Sequence, residues 1–317
     1  MATVHRDGPG RADVRRAAPL ASVGVSDPVR RTGVPPGLLV LGAIASVQTG
    51  SALARTLFDD LGAAGVTLLR LALSAALLLL VLRPRVRAWT GRQWQGAALL
   101  GAAMAGMNLV FYLSLRTVPL GVAVTVEFVG PLLLALAQTR RLVDLLWALL
   151  AASGVVLLGV DSTSGIPLSG LALALLAGLF WAGYILASAR VGQELPGLDG
   201  LAVALAFATV LVLPAGLSGA SAVVERPSLL LAAFGVALLS SVLSYGLELV
   251  ALRRMPTRVF GILMSLEPAA AALAGLLVLS QALGTREVLA LVLVSAASAG
   301  VTLGRRERSG VPTQPLP

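Results

Sequence analysis

The chain has 317 residues, of which 57% are apolar and 12% charged, and its mean hydropathy is +0.91. This composition excludes an ordinary water-soluble domain and indicates a protein of the lipid bilayer. The net charge of +9 comes from 24 basic residues. They alternate with apolar segments along the chain, so a nucleic-acid-binding patch is not expected.

Ten apolar segments follow one another, each long enough to cross roughly 30 Å of hydrocarbon as a helix rising about 1.5 Å per residue. Helices are expected because lipid does not tolerate unpaired backbone groups, and no ten-residue alternating pattern suggests a barrel. In chain order the predicted spans lie near residues 36–56, 64–82, 94–114, 118–138, 143–160, 168–189, 199–217, 228–252, 259–280 and 286–304.

The two ends of the chain lack a span-length apolar run. Residues 1–34, rich in Arg, Pro and Gly, are predicted to form a disordered cytoplasmic tail, and residues 306–317 a second tail. The first tail does not resemble a signal peptide, because the apolar segment that follows has the length of a full span.

The distribution of arginine predicts the orientation. With the amino terminus inside, only Arg55, Arg116, Arg226 and Arg286 lie on the outer side, Arg70 lies within a span, and the remaining 19 arginines are cytoplasmic. Such asymmetry across short loops follows the positive-inside rule. The sequence therefore predicts a multi-pass protein of the cell (inner) membrane with both termini in the cytoplasm.

Two stretches of the sequence carry nearly the same pattern. Leu-Arg-Thr-Val-Pro at residues 115–119 is followed by Glu127, and Leu-Arg-Arg-Met-Pro at residues 252–256 is followed by Glu267. In both stretches another proline comes 12 residues after the first. The pattern predicts two similar halves, each with one carboxylate inside an apolar segment.

The predicted halves are residues 35–162 and residues 163–305, with five spans each. Because five is an odd number, the second half must enter the membrane from the opposite side. We therefore predict an all-α membrane protein with ten transmembrane helices arranged as two inverted five-helix repeats. Such repeats place substrate and coupling-ion sites near the bilayer midplane and transport by alternating access.

Glu127 and Glu267 are the principal candidates for a functional site. Each lies eight or nine residues into its predicted span, roughly 12 to 14 Å from one face of the membrane. An intramembrane charge costs at least about 2 to 3 kcal/mol, so it indicates function by default. Pro131 and Pro268 stand close behind the two acids and predict a local disturbance of the helix. The alternative is a carboxyl group that only bonds to a neighbouring helix.

Two further charged residues have competing interpretations. Arg70 lies about six residues from the outer end of its predicted span, where it could extend towards the interface. It could also be buried and pair with an acid or a substrate carboxylate through its planar fork of donors. Glu248, a weaker candidate, lies near the cytoplasmic end of its span and is more typical of a partner for an arginine at the loop.

Other polar side chains within the spans could line a polar cavity or simply bond helix to helix and anchor the interface. These residues are Gln48, Thr49 and Ser51 in the first span, Asn108 and Tyr112 in the third, and Trp181 and Tyr184 in the sixth.

Several motifs together resemble a known family. They are Gly-Met-Asn-Leu-Val-Phe-Tyr-Leu-Ser-Leu at residues 106–115, Thr-Val-Pro-Leu-Gly-Val-Ala at 117–123, Glu-Phe-Val-Gly-Pro at 127–131, Pro-Thr-Arg-Val-Phe-Gly at 256–261, and Glu267-Pro268. From Val34 to about Gly304 the chain resembles the EamA-type branch of the drug/metabolite transporter superfamily, and within it the bacterial threonine/homoserine exporters. The resemblance implies a ten-helix inner-membrane carrier that exports small amino acids or related metabolites and is driven by protons.

One departure from the family pattern limits what can be transferred. Many relatives have a Gly-Glu pair near the end of the ninth span, whereas this chain has Ser280 and Gln281. An acid at that place therefore has no part in the mechanism of this chain.

Three functional hypotheses follow. The first is export of threonine-like amino acids, in which Glu127 or Glu267 exchanges protons for substrate. The second is export of other metabolites or drugs through a more apolar cavity. The third, a membrane enzyme, has little support, because the chain has no cysteine, its only histidine is His5 in the tail, and its one acidic pair, Asp59-Asp60, is predicted in an outer loop.

No catalytic residue, metal or cofactor is therefore predicted. The expected partners are a small amino acid or metabolite, protons and the lipid bilayer. A homodimer is an allowed assembly, and no nucleic-acid partner is expected.

Overall fold

The computed structural model describes residues 34–138, 142–159, 166–195, 197–252 and 254–304. Within these ranges the chain is helical and contains no β-strand. The helices are α1 (Pro36–Thr56), α2 (Phe58–Leu82), α3 (Gly91–Ser114), α4 (Leu120–Glu127), α5 (Val129–Ala137), α6 (Leu142–Gly159), α7 (Leu168–Glu194), α8 (Asp199–Ala220), α9 (Ala222–Glu225), α10 (Ser228–Ala237), a π-helical segment (Leu238–Leu243), α11 (Ser244–Leu252), α12 (Thr257–Met264), α13 (Glu267–Leu279) and α14 (Thr285–Gly304).

A helix lies at each of the ten predicted positions. In the part of the chain that the structure describes, nine helical segments are long and apolar enough to cross a membrane, and α6 contributes a shorter apolar stretch, Leu145–Leu158. The protein is therefore an all-helical protein of the multi-pass membrane type. The two predicted tails fall almost entirely outside the described residues.

The second helix begins earlier than the sequence predicted. α2 starts at Phe58 rather than near residue 64, so Asp59 and Asp60 lie in its first turn and not in a loop. Carboxylates are favourable there because the unpaired N–H groups of a helix start carry partial positive charge. Gly62, with φ of 64°, bends the helix just after these acids. The prediction that Asp59 and Asp60 lie in an outer loop was therefore wrong.

Two of the membrane-spanning segments are interrupted at their acids. Glu127 ends α4, and α5 starts after Phe128. Pro131 cannot donate a hydrogen bond to the Glu127 carbonyl four residues earlier, which explains the break. In the other segment α12 ends at Met264, again four residues before a proline, and Glu267 begins α13. The predicted disturbance of both helices is thus present in the structure.

Helix packing brings the interrupted segments together. α4 lies against α7 and α13, while α1 lies against the π-helical segment, α11 and α13. α2 packs along α8 through small residues: a Cβ atom added at Gly216 would lie 2.5 Å from the Ala64 carbonyl oxygen and 2.7 Å from Leu68 Cβ. Small residues of this kind let membrane helices approach closely.

Candidate functional site

A cavity of about 770 Å³ lies between these helices. Its wall is formed by α1, α2, α3, α7, α11 and α14 together with both interrupted segments. Most of the residues singled out from the sequence line it, among them Gln48, Arg70, Asn108, Glu127, Trp181, Tyr184, Glu248 and Glu267. Side chains separated by more than 200 positions in the sequence are therefore gathered around one space.

The remaining polar candidates differ in whether they line the cavity. Tyr112 is fully buried, and its hydroxyl accepts a hydrogen bond from Arg70, which itself lines the cavity. Ser51 also lines the cavity. Thr49 is exposed and is not part of the wall, so its interpretation as a cavity residue was wrong. Its position one residue from Gln48 on the helix turns it towards a different face.

Both mid-span acids are buried, with 8% of Glu127 and 7% of Glu267 exposed. Gln48 Nε2 donates a hydrogen bond to Glu267 Oε1 at 3.0 Å, which links α1 to α13. The other carboxylate oxygen, Glu267 Oε2, is buried and has no hydrogen-bond partner in the described structure, and the same holds for Gln48 Oε1. Among the described residues no basic nitrogen lies within 4.0 Å of either acid. Neither carboxyl group therefore forms a direct ion pair with an arginine of the described chain.

Arg70 is buried, not extended towards an interface, since only 5% of it is exposed. Because α2 begins at Phe58, Arg70 lies deeper in its helix than the predicted span implied. Its guanidinium donates from Nη1 to the Tyr112 hydroxyl at 2.9 Å, from Nη2 to the Ser240 carbonyl at 3.0 Å, and from Nε to Ser241 Oγ at 3.3 Å. Pairing with an acid of the protein is not observed within the described residues.

Polar residues of the π-helical segment and α11 were missed in the sequence. Ser240, Ser244 and Tyr245 line the cavity, and Ser241 contacts Arg70. The signal that could have revealed them is a Ser-Ser-Val-Leu-Ser-Tyr run at residues 240–245 inside an otherwise apolar segment. Buried polar groups are normally held by hydrogen bonds, so such a run indicates polar contacts between helices.

Glu248 belongs to the cavity wall and does not pair with a loop arginine among the described residues. Its Oε1 atom accepts a hydrogen bond from Ser244 Oγ at 3.1 Å, one helical turn earlier. The weaker candidate therefore lies beside the same space as the two mid-span acids. No cluster of three or more acidic or histidine side chains suited to a metal ion occurs in the described ranges.

Aromatic side chains form part of the wall next to Glu127. The rings of Phe128 and Trp181 meet edge to face, with centroids 5.0 Å apart. Asn108 donates its side-chain amide to the Met104 carbonyl of its own helix at 2.8 Å. The cavity thus combines a few charged and polar groups with a largely apolar surface, as is usual for small-molecule sites.

Gln281, the residue that departs from the family pattern, lies outside this cavity wall. Its side-chain oxygen accepts a hydrogen bond from the Leu120 backbone N–H at 2.9 Å. A neutral amide therefore caps the first turn of α4, whose N–H groups have no partner within the helix.

Comparisons with known proteins identify the family of this chain. The sequence profile of the EamA-like transporter family matches residues 168–303. The chain is 44% identical over 276 residues to the threonine/homoserine exporter RhtA of Salmonella typhimurium strain LT2, covering 86% of this chain and 93% of that protein. It is 43% identical over 279 residues to the protein of the same name from Escherichia coli strain K12, covering 87% and 94%.

A solved crystal structure has a similar fold, with a TM-score of 0.59 at 19% identity over 84% of this chain and 96% of that one. Sequence identity above 40% over most of both chains is stronger evidence for a shared family than similarity of fold alone. The chain belongs to the EamA-like transporter family.

Proposed function

We propose that this protein is an inner-membrane secondary transporter that exports small amino acids of the threonine and homoserine type in exchange for protons. The observation that carries the proposal is the cavity in which Glu127, Glu267 and Arg70 lie buried at mid-span. The names of the relatives supply the substrate class. The family supports transport rather than catalysis.

Ten crossings arranged as two inverted repeats are part of this proposal, and the packing of the helices supports them. If the halves correspond, α1 is equivalent to α7, and α3 is equivalent to the segment that contains α11. The contact of α3 with α7 should then be matched by a contact of α11 with α1, and both contacts exist. Likewise α4 and α5 against α7 are matched by α12 and α13 against α1. In this scheme α2 is equivalent to α8, and α6 to α14. The helices of each of these two pairs also contact one another.

The proposed mechanism depends on the burial of the two acids and on competition between a proton and the substrate for one carboxyl group. Low dielectric disfavours the charged form of a carboxyl group unless a cation compensates it. Glu127 or Glu267 would therefore bind either a proton or the ammonium group of the substrate. Since the two cargoes cannot occupy the group together, export of one molecule would be coupled to entry of a proton.

The proposed orientation of the protein predicts the side of the membrane to which the cavity opens. Its wall continues along α7, α11 and α14 to Ser188, Leu252 and Thr302, which lie near the ends predicted to be cytoplasmic. Towards the other side, α2 and α8 are packed through Gly65 and Gly216. The described conformation would thus receive substrate from the cytoplasm, and separation of α2 from α8 would release it outside.

The test uses purified protein in proteoliposomes. Glu127→Gln and Glu267→Gln keep the side-chain size but remove the titration, so transport driven by a proton gradient should fall at least tenfold at the residue that carries the proton. Counterflow without a gradient should persist, because a carrier with a neutral side chain can still alternate with substrate bound. Glu225→Gln, at an exposed position on α9, is the matched control. Unchanged gradient-driven transport in both cavity variants would contradict the proposal.

Export of other metabolites or drugs is the alternative, favoured by the apolar part of the wall, which includes Val47, Met107 and Ile185. Competition between labelled threonine and a panel of amino acids and apolar compounds separates the two. Assembly as a homodimer stays a prediction, and the mass of the detergent-solubilised protein would test it.

A further inference from the structure

Arg70 combines a permanent charge with incomplete hydrogen bonding. The guanidinium has five N–H donors and is always charged in proteins. The three hydrogen bonds of Arg70 go to two hydroxyl groups and one carbonyl, all of them neutral acceptors. Across the described residues no carboxylate lies within 4.0 Å of it. Two N–H donors of Arg70 therefore have no hydrogen-bond partner among the described residues, and this side chain lines the cavity.

The π-helical segment holds this guanidinium in place. Its wide turn exposes backbone carbonyls, and Arg70 donates to that of Ser240 while Ser46 Oγ donates to that of Leu239 at 2.7 Å. Gly50 lets α1 approach this turn, because a Cβ atom there would lie 2.9 Å from the Ser240 backbone nitrogen. Isolated π-helical turns frequently occur at functional sites. The charge is thus oriented before any ligand binds.

Acceptors without partners occur elsewhere in the same wall. Gln48 Oε1 and Glu267 Oε2 are buried and lack hydrogen bonds in the described structure, although both residues line the cavity. Buried polar atoms without partners are rare, and a polar ligand can supply the missing bonds. An ammonium group carries three donors and no acceptor, which suits two oxygens of this kind.

We propose that Arg70 binds the α-carboxylate of the exported amino acid and thereby makes the carrier select zwitterions over amines that lack a carboxylate. A guanidinium can bind a carboxylate through two hydrogen bonds, and two of the five N–H donors of Arg70 have no partner among the described residues. The oxygens of Gln48 and Glu267 receive the ammonium group of the same molecule. This inference rests on the proposed function, whose substrate it defines chemically.

The experiment compares L-threonine with L-threoninol, which has the same skeleton and ammonium group but a hydroxymethyl group in place of the carboxylate. Binding of each compound to purified protein is measured by the shift in melting midpoint, and transport by competition in counterflow. Since hydrogen bonds to charged groups are the strong ones, wild-type protein should prefer threonine by roughly 10- to 100-fold. In Arg70→Gln the affinity for threonine should fall by that factor while the affinity for threoninol stays the same.

Two further variants keep the test decisive if Arg70→Gln does not fold. Tyr112→Phe removes the hydroxyl that orients Nη1 and should lower the preference for threonine severalfold without changing threoninol binding. Arg92→Gln, at an exposed arginine on α3, should keep the full preference.

Equal affinity of the wild-type protein for both compounds, or a preference that survives in Arg70→Gln, would overturn the inference. Selective binding of threonine without transport would instead refute the proposed function and leave the role of Arg70 standing.

Discussion

Close packing between α2 and α8 gives a sharp prediction for Gly216→Ala. The new Cβ atom would lie 2.5 Å from the Ala64 carbonyl oxygen and 2.7 Å from Leu68 Cβ. Ordinary contact begins at about 3.4 Å, so the two helices must separate by roughly 0.9 Å at this point. Overpacking of this size costs about 1 to 3 kcal/mol. Replacing glycine by alanine inside a helix returns at most about 1 kcal/mol.

Gly235→Ala on α10 is the matched control. Its Cβ atom would meet Leu53 Cδ2 at 3.9 Å, an ordinary contact, so only the gain in helix propensity remains. The difference in stability between the two variants therefore isolates the packing cost, about 1 to 3 kcal/mol. We expect Gly216→Ala to melt several degrees below Gly235→Ala in the same detergent and at the same scan rate. An equal or higher midpoint for Gly216→Ala would refute the close approach of α2 and α8.

Three further predictions concern the ends of the helices. Gln281→Leu should lower stability by about 1 kcal/mol, because a backbone N–H of α4 loses its acceptor. Gln281→Glu should be tolerated, because a carboxylate is favourable at a helix start. The melting midpoints of both variants test these expectations. Asp60→Asn breaks an ion pair with Arg226 in which both side chains are partly exposed, so a loss below about 1 kcal/mol, reduced further by salt, is expected. A single cysteine at Ser221 should react with an impermeant thiol reagent added outside, whereas one at Thr90 should not, and the reverse pattern would overturn the orientation.

The membrane class and helix positions could be read from the sequence because lipid imposes strict rules. A span must be apolar over about 20 residues and must satisfy its own backbone, and both requirements are local. The position of α1 was therefore predicted to the residue. The start of α2 was not predicted correctly, because Asp59 and Asp60 interrupt the apolar pattern. Their carboxylates are nevertheless favourable in the first turn of the helix.

The candidate site was predictable in part for a similar reason. A charge inside an apolar run is costly wherever the run packs, so Glu127, Glu267 and Arg70 stand out in the sequence itself. A serine costs less in lipid than a charge, so the run at residues 240–245 could indicate polar contacts between helices but not that Ser240 and Ser241 are the partners of Arg70.

The amino-acid sequence alone establishes that this protein belongs in the bilayer, where its helices lie and which of its charges are costly in lipid. The packing of the helices then shows that those charges line one cavity, that Glu248 belongs to it and that Thr49 does not. It also shows that Arg70 is buried and that its hydrogen bonds go to neutral acceptors, not to an acid of the described chain. The physical reason is that helix formation and membrane insertion depend on neighbours in sequence. The environment of a side chain depends instead on which helices pack around it.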